Sequence, residues 1–114
     1  MIKAANSKVI TLDPTFPSTV QNVIRLIIEQ SKPKKMILFG SRARKKNRDN
    51  SDFNFCVVGK TCSAETWAKL LVEIENEPLT LFKIDLLEFE SLSKIYQEQI
   101  QSEGKILYDR DIEF

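Results

Sequence analysis

Residues 36–58, MILFGSRARKKNRDNSDFNFCVV, hold most of the groups in this chain that could do chemistry. Gly40-Ser41 is a turn at which a backbone can approach an anion closely, with N–H groups and a hydroxyl to offer it. Arg42 and Arg44 follow, and a planar, delocalised guanidinium suits phosphate oxygens. Asp52 comes after ten intervening residues, and Asp85 stands alone in a later apolar run. Mg²⁺ is commonly held by one or two carboxylates together with substrate phosphates, so Asp52 and Asp85 are candidate metal ligands. Asn54 adds a neutral amide oxygen two residues after Asp52.

Other chemistries drop out. The chain has no histidine, and its two cysteines, Cys56 and Cys62, lack Cys-x-x-Cys spacing. That removes the usual Cys/His zinc site, histidine general-base catalysis and a Ser-His-Asp triad. Phosphoryl and nucleotidyl transfer depend mainly on positioning and charge neutralisation, and need no histidine. Cys56 reads as a small hydrophobe in a strand, and both thiols are expected to be reduced.

The elements that must position these groups can be read from apolar periodicity. Ser18-Thr19-Val20-Gln21 has the form of a capping box, and Val20, Val23, Ile24, Ile27 and Ile28 recur at helical spacing, predicting a helix over 18–30. Lys35 to Phe39 predicts a buried strand closed by Gly40, after which Ser41 to Arg44 begins a helical turn. Asp52 to Val58 predicts a second strand with Phe53, Phe55 and Val57 on one face and Asp52, Asn54 and Cys56 on the other. Gly59-Lys60-Thr61 turns the chain. Ser63 caps a helix with Ala64, Trp67, Leu70, Leu71 and Ile74 inward, ending near Glu77-Pro78. Trp67 lies in that stripe and reads as a core or interface anchor. A third strand over 79–87 carries Asp85, a charge expensive to bury unless it is paired or binds a metal. A helix over 91–102 with Leu92, Ile95, Tyr96 and Ile100 inward, a C-cap at Gly104 and a short strand over 105–108 complete the order. The fold class is therefore α/β (α+β), a small mixed β-sheet with helices packed on it.

At 114 residues the chain is long enough for a single domain with one modest core. Residues 1–16 read as an N-terminal arm or an added edge strand, and 109–114 as a loose tail. No apolar run approaches the roughly 20 residues of a membrane span, and the first residues lack a signal-peptide apolar region, so the protein reads as cytoplasmic with no membrane contact. Net charge is +1, but charge is segregated: eight Lys/Arg and no acid from Lys32 to Arg48, and six acids against Lys83 alone from Glu73 to Glu90. A charge run is by default a solvated face. Here the basic run brackets the Gly-Ser turn, which favours an anion-facing surface.

Leu38-Phe39-Gly40-Ser41-Arg42-Ala43-Arg44, then Ser51-Asp52-Phe53-Asn54-Phe55 and later Ile84-Asp85-Leu86, resembles the minimal nucleotidyltransferase (MNT) family of the DNA polymerase beta-like superfamily. The likeness covers residues 18–108. The family pattern is Gly-Ser, about ten residues, Asp-x-Asp and a third Asp on a later strand. The resemblance implies that Gly40 and Ser41 cradle an NTP triphosphate, with ATP the expected nucleotide, and that Arg42 and Arg44 lie near its phosphates. It implies Asp52, Asn54 and Asp85 as the metal positions for Mg²⁺, with Asp52 and Asp85 catalytic. It also implies a HEPN-type protein partner in a toxin–antitoxin pair, onto which some members transfer AMP, and hence a possible hetero- or homo-oligomer.

The sequence departs from that pattern twice. Lys45 stands where a glycine often follows Arg-x-Arg, and Asn54 stands for the second Asp. Two-metal catalysis normally draws on three carboxylates to hold dications about 4 Å apart, and only two remain here. Asp49 is out of register to replace the lost one.

Three readings follow: a nucleotidyltransferase-like protein that binds Mg-NTP and transfers a nucleotide to a partner hydroxyl, with catalysis weakened or lost; a catalytically degenerate, antitoxin-type partner-binding protein of a HEPN toxin; and an unrelated small α/β domain. Whether the chain is an enzyme stays open between the first two, and the consistent order of turn, basic loop and acids disfavours the third. A nucleic-acid role is disfavoured because no aromatic side chains interleave the basic run for base stacking.

Overall fold

The computed structural model describes residues 15–111. Helix α1 (Ser18–Ser31) leads into strands β1 (Lys35–Phe39) and β2 (Phe53–Val58), then helix α2 (Ala64–Asn76), β3 (Ile84–Glu88), a 3-10 turn (Phe89–Ser91), helix α3 (Lys94–Glu103) and β4 (Lys105–Asp109). This is the element order expected from the sequence, with the 3-10 turn added.

The four strands form one mixed sheet in the order β3-β2-β1-β4. β1 pairs antiparallel with both β2 and β4, while β2 and β3 are parallel, joined through α2. Strand alternation then sorts the side chains. Met36, Leu38, Phe53, Phe55 and Val57 cluster with Val20, Val23, Ile24 and Ile27 of α1, and with Trp67 and Ile74 of α2 at the margin. Ile37, Phe39 and Cys56 emerge on the opposite face, where Ile100 of α3 covers them. In β4 the register shifts opposite Met36/Ile37, a bulge that lets consecutive Leu107 and Tyr108 both join the first cluster.

Local details differ from the sequence reading. The capping box at Ser18 does not form. Pro17 is the N-cap, its carbonyl accepts from the N–H groups of Val20 and Gln21, and the Gln21 amide donates to the Phe16 carbonyl instead. The third strand begins at Ile84 rather than Leu79. After Pro78 the chain turns, with Leu79 N–H donating to the Glu77 carbonyl, and Leu81 stands fully in solvent. The last helix starts later than expected because Ser93 caps it, accepting from Tyr96 N–H at 3.3 Å. Ile95, expected inward, is 80% exposed. Gly104 is the C-cap as expected, but its φ of −74° is ordinary. Glycine is required there because a Cβ would run into the Ile100 carbonyl and the Ile37 side chain.

Both chain ends of the described region are tied in. Phe16, assigned to a possible arm, packs edge-to-face on Phe53 at 5.3 Å. At the other end Arg110 N–H donates to the Lys34 carbonyl and Lys34 pairs with Asp111 at 3.9 Å. The other expectations for residues 1–14 and 112–114 lie outside the described residues. Among the described residues no helix is long and apolar enough to cross a membrane.

Candidate functional site

The face of the sheet under α3 is where the sequence-marked residues meet. β1 ends at Phe39, and Gly40 turns the chain with φ +83°, a left-handed value that favours glycine. A second constraint acts on the same position: a Cβ on Gly40 would lie 2.5 Å from Nδ2 of Asn54. Gly40 and Asn54 are therefore a matched pair, the bare backbone leaving room for the amide. Beyond Gly40 the chain forms a single tight turn. Ala43 and Arg44 N–H groups both donate to the Gly40 carbonyl at 3.0 and 3.1 Å, and Lys46 N–H to the Ser41 carbonyl at 2.9 Å. Lys45 leaves that turn with φ 60°, so the backbone keeps a glycine-like conformation at the position where the family pattern often has glycine.

Across from this turn, β2 and β3 bring Asn54 and Asp85 level, as Cα partners in the parallel register. Both line a cleft of about 490 Å³ together with Gly40, Ser41 and Arg44, roofed by Tyr96, Gln99 and Glu103 of α3. Five of the seven expected site residues are thus together. Asp85 is less buried than its apolar neighbours suggested: β3 is an edge strand, the side chain is 42% exposed, and Lys83 stands 3.9 Å away. The solvation penalty expected for this charge is correspondingly relieved.

The other two do not line that cleft. Arg42 turns to the opposite face, its guanidinium 3.9 Å from the Phe53 ring centroid and 5.5 Å from that of Phe82. Its Nε and Nη2 donate to the carbonyls of Ser51 and Asp49, each at 3.1 Å, so it braces the loop between β1 and β2. Partial burial lowers its pKa, opposed by the nearby Asp49 and Asp52 carboxylates. Asp52 immediately precedes β2, outside the set of cleft-lining residues. Arg44 does reach the cleft, and there it donates to Glu103 at 3.1 Å, tying the turn to the end of α3.

A metal has limited support in this donor set. Asp85 and Asn54 present one carboxylate and one amide oxygen to the same space, which fits one Mg²⁺ completed by phosphate oxygens. It does not fit a pair of dications: among the described residues no three acidic or cysteine side chains converge. Cys56, on the same face of β2, is fully buried, and burial, with help from Glu90, pushes its thiol up to about 12, which disfavours the thiolate. Both cysteines are free. Trp67 flanks the core as expected, with the Lys60 ammonium 5.4 Å from its ring.

The sequence reading did not single out Gln99 and Glu103, and it placed Tyr96 inward. A signal was present, since positions 96, 99 and 103 share one side of a helix, but nothing in the sequence says which side faces the Gly-Ser turn.

A Gly-Ser turn and an acid-bearing strand opening on one cleft of a small mixed sheet define a nucleotidyltransferase-like domain. The chain belongs to the Polymerase beta nucleotidyltransferase family, whose model matches residues 21–113. It is 29% identical over 111 residues to the protein adenylyltransferase MntA of Aphanizomenon flos-aquae (strain 2012/KM1/D3), an alignment covering 84% of this chain and 70% of that one. Its fold is also similar to that of a chain in a crystal structure of a toxin–antitoxin with AMP-PNP, with TM-score 0.56, 24% identity, and 78% and 73% of the two chains covered. A further fold match is to a chain in the structure of a tri-AMPylated Shewanella oneidensis HEPN toxin in complex with MNT antitoxin, with TM-score 0.54, 21% identity, and 81% and 71% of the two chains covered. The chain is thus a nucleotidyltransferase-like protein, and it is similar to MntA and to the MNT antitoxin.

Proposed function

We propose that this protein binds a nucleoside triphosphate, ATP in the first instance, in the cleft under α3, and that it acts with a HEPN-type protein partner as an antitoxin-type nucleotidyltransferase whose catalysis is weakened or lost. The observation that carries this reading is the convergence of the Gly40-Ser41 turn, Arg44, Asn54 and Asp85 on one cleft. The MntA relative is a protein adenylyltransferase, which supports ATP as the nucleotide. The HEPN complex of the MNT antitoxin supports the choice of partner.

In this reading the turn at Gly40 lets phosphate oxygens approach the backbone, and the Ser41 hydroxyl donates to them. Arg44 exchanges part of its pairing with Glu103 for phosphate. Asp85, with Asn54 beside it, would hold Mg²⁺, which when bound neutralises phosphate charge. Asp85 also orients the attacking hydroxyl of the partner. Transfer would form a bond from that hydroxyl oxygen to the α-phosphorus, pass the hydroxyl proton to the Asp85 carboxylate, and break the bond to the departing pyrophosphate.

Asn54 is where this chain parts from a full transferase. Its amide is neutral where a carboxylate would supply both charge and a bridging oxygen. A second reading, partner binding without transfer, is favoured by the same residue. Incubating the protein with α-labelled ATP, Mg²⁺ or Mn²⁺ and its co-expressed partner separates the two. Label on the partner supports transfer; label that appears only with Asn54→Asp supports the degenerate reading. Nucleotide binding itself fails if ATP with Mg²⁺ leaves the melting temperature unchanged and Ser41→Ala alters nothing.

A further inference from the structure

The cleft has a second end that the phosphate-binding turn does not use. Tyr96 is 38% exposed and packs on Phe39 with ring centroids 6.2 Å apart and planes at 88°. In such an edge-to-face pair Phe39 can cover at most one face of the Tyr96 ring. The pair therefore fixes the plane of the ring and leaves at least one face for another flat group. Gln99, one turn further along α3, also lines the cleft; it is exposed, and among the described residues only its backbone carbonyl is engaged from a side chain, by Ser102 Oγ, which leaves its amide open to a ligand. By contrast the neighbouring Gln97 is committed, donating to the Phe89 carbonyl at 2.8 Å.

Along α3, Tyr96 lies seven residues before Glu103, which pairs with Arg44, a rise of ~10 Å along the helix axis. A triphosphate held at Arg44 therefore has room to lay its base along the helix toward Tyr96.

We propose that the Tyr96–Gln99 flank of α3 is the nucleobase subsite of this cleft, with Tyr96 stacking on the base and Gln99 reading its edge with a preference for adenine. The base preference follows from donor and acceptor count. A glutamine amide carries one of each side by side and pairs in bidentate fashion with N6 and N7 of adenine, whereas O6 and N7 of guanine ask for two donors. This rests on the nucleotide reading above and adds to it the residues that would distinguish one nucleotide from another.

Calorimetric titration of the full chain with ATP, GTP and inorganic tripolyphosphate, each with Mg²⁺, tests it. Wild-type protein is expected to bind ATP more tightly than GTP and than tripolyphosphate. Tyr96→Ala should weaken ATP binding about tenfold or more, the scale of base–aromatic stacking, and leave tripolyphosphate unaffected. Tyr96→Phe keeps the ring and its packing on Phe39, so it should behave as wild type. Gln99→Leu should erase the preference for ATP over GTP. The subsite is overturned if Tyr96→Ala and Gln99→Leu leave the ratio of ATP to tripolyphosphate affinity unchanged, or if both ligands weaken together in Tyr96→Ala. If tripolyphosphate and ATP both fail to bind the wild-type protein, the nucleotide reading falls and the subsite with it. Tripolyphosphate binding with silent base-end variants removes the subsite alone.

Discussion

The two faces of the sheet are made by alternate residues of the same strands, and they end in opposite states. On one, Phe53, Phe55 and Val57 of β2 meet α1 and α2, and the first two phenylalanines are fully buried. On the other, Asn54 and Cys56 face the ten-residue α3 and the 89–92 stretch before it, and a cleft remains beside the helix. The two arginines of the Gly-Ser turn divide the same way: Arg42 folds over Phe53 on the sealed face, and Arg44 meets Glu103 on the open one. Two residues of like type two positions apart in one motif thus have different jobs. One holds the loop that shapes the site, and the other is available to it.

The contrast can be broken by substitution. The largest effect is expected on the sealed face. Phe55→Ala should cost about 3–5 kcal/mol, because the ring is fully buried and its neighbours cannot collapse into the gap; urea unfolding reads this directly. A loss well under 1 kcal/mol would mean the face is not packed as described.

The arginines come next. Arg42→Ala should destabilise by about 1–3 kcal/mol, through loss of its ring contact and two charge-assisted hydrogen bonds. Arg44→Ala should change stability by under about 1 kcal/mol, as for an exposed ion pair, while weakening tripolyphosphate binding. The division of labour fails if the two variants behave alike in both measurements.

Gly40→Ala should cost about 1–2 kcal/mol for the left-handed backbone and also displace Asn54. Adding Asn54→Ala should relieve the clash and leave the backbone part, a non-additivity that a double-mutant cycle measures. The only gain is expected at Lys45: Lys45→Gly should stabilise by about 1 kcal/mol, read as a raised midpoint in urea, since φ 60° suits glycine.

Much of this molecule is legible in its sequence because the signals are local. Strand alternation in Phe53-Asn54-Phe55-Cys56-Val57 fixes which side chains share a face, and apolar spacing in Val20 to Ile28 locates α1. The Gly-Ser turn and the order of acids after it point to the family on residue type and spacing alone. Signals that depend on competing partners are less secure. Ser18 and Gln21 have the form of a capping box, but Pro17 and the Phe16 carbonyl take their places. Ile95 lies in the apolar periodicity of α3, yet among the described residues no element covers it.

What the tertiary structure alone decides is which neighbours the site residues have. Nothing in the spacing of Arg42 and Arg44 says that the first is drawn to Phe53 and the second to Glu103, because both partners are brought there by packing of distant segments. The same holds for Asn54. Sequence identifies it as the missing carboxylate, while the fold sets it against the bare backbone of Gly40 and level with Asp85, and so makes it part of the cleft. Residue type and order determine the family and the fold class. The register of β2 against β3 and the one short helix above them determine which groups can act together, since convergence is a property of packing and not of order along the chain.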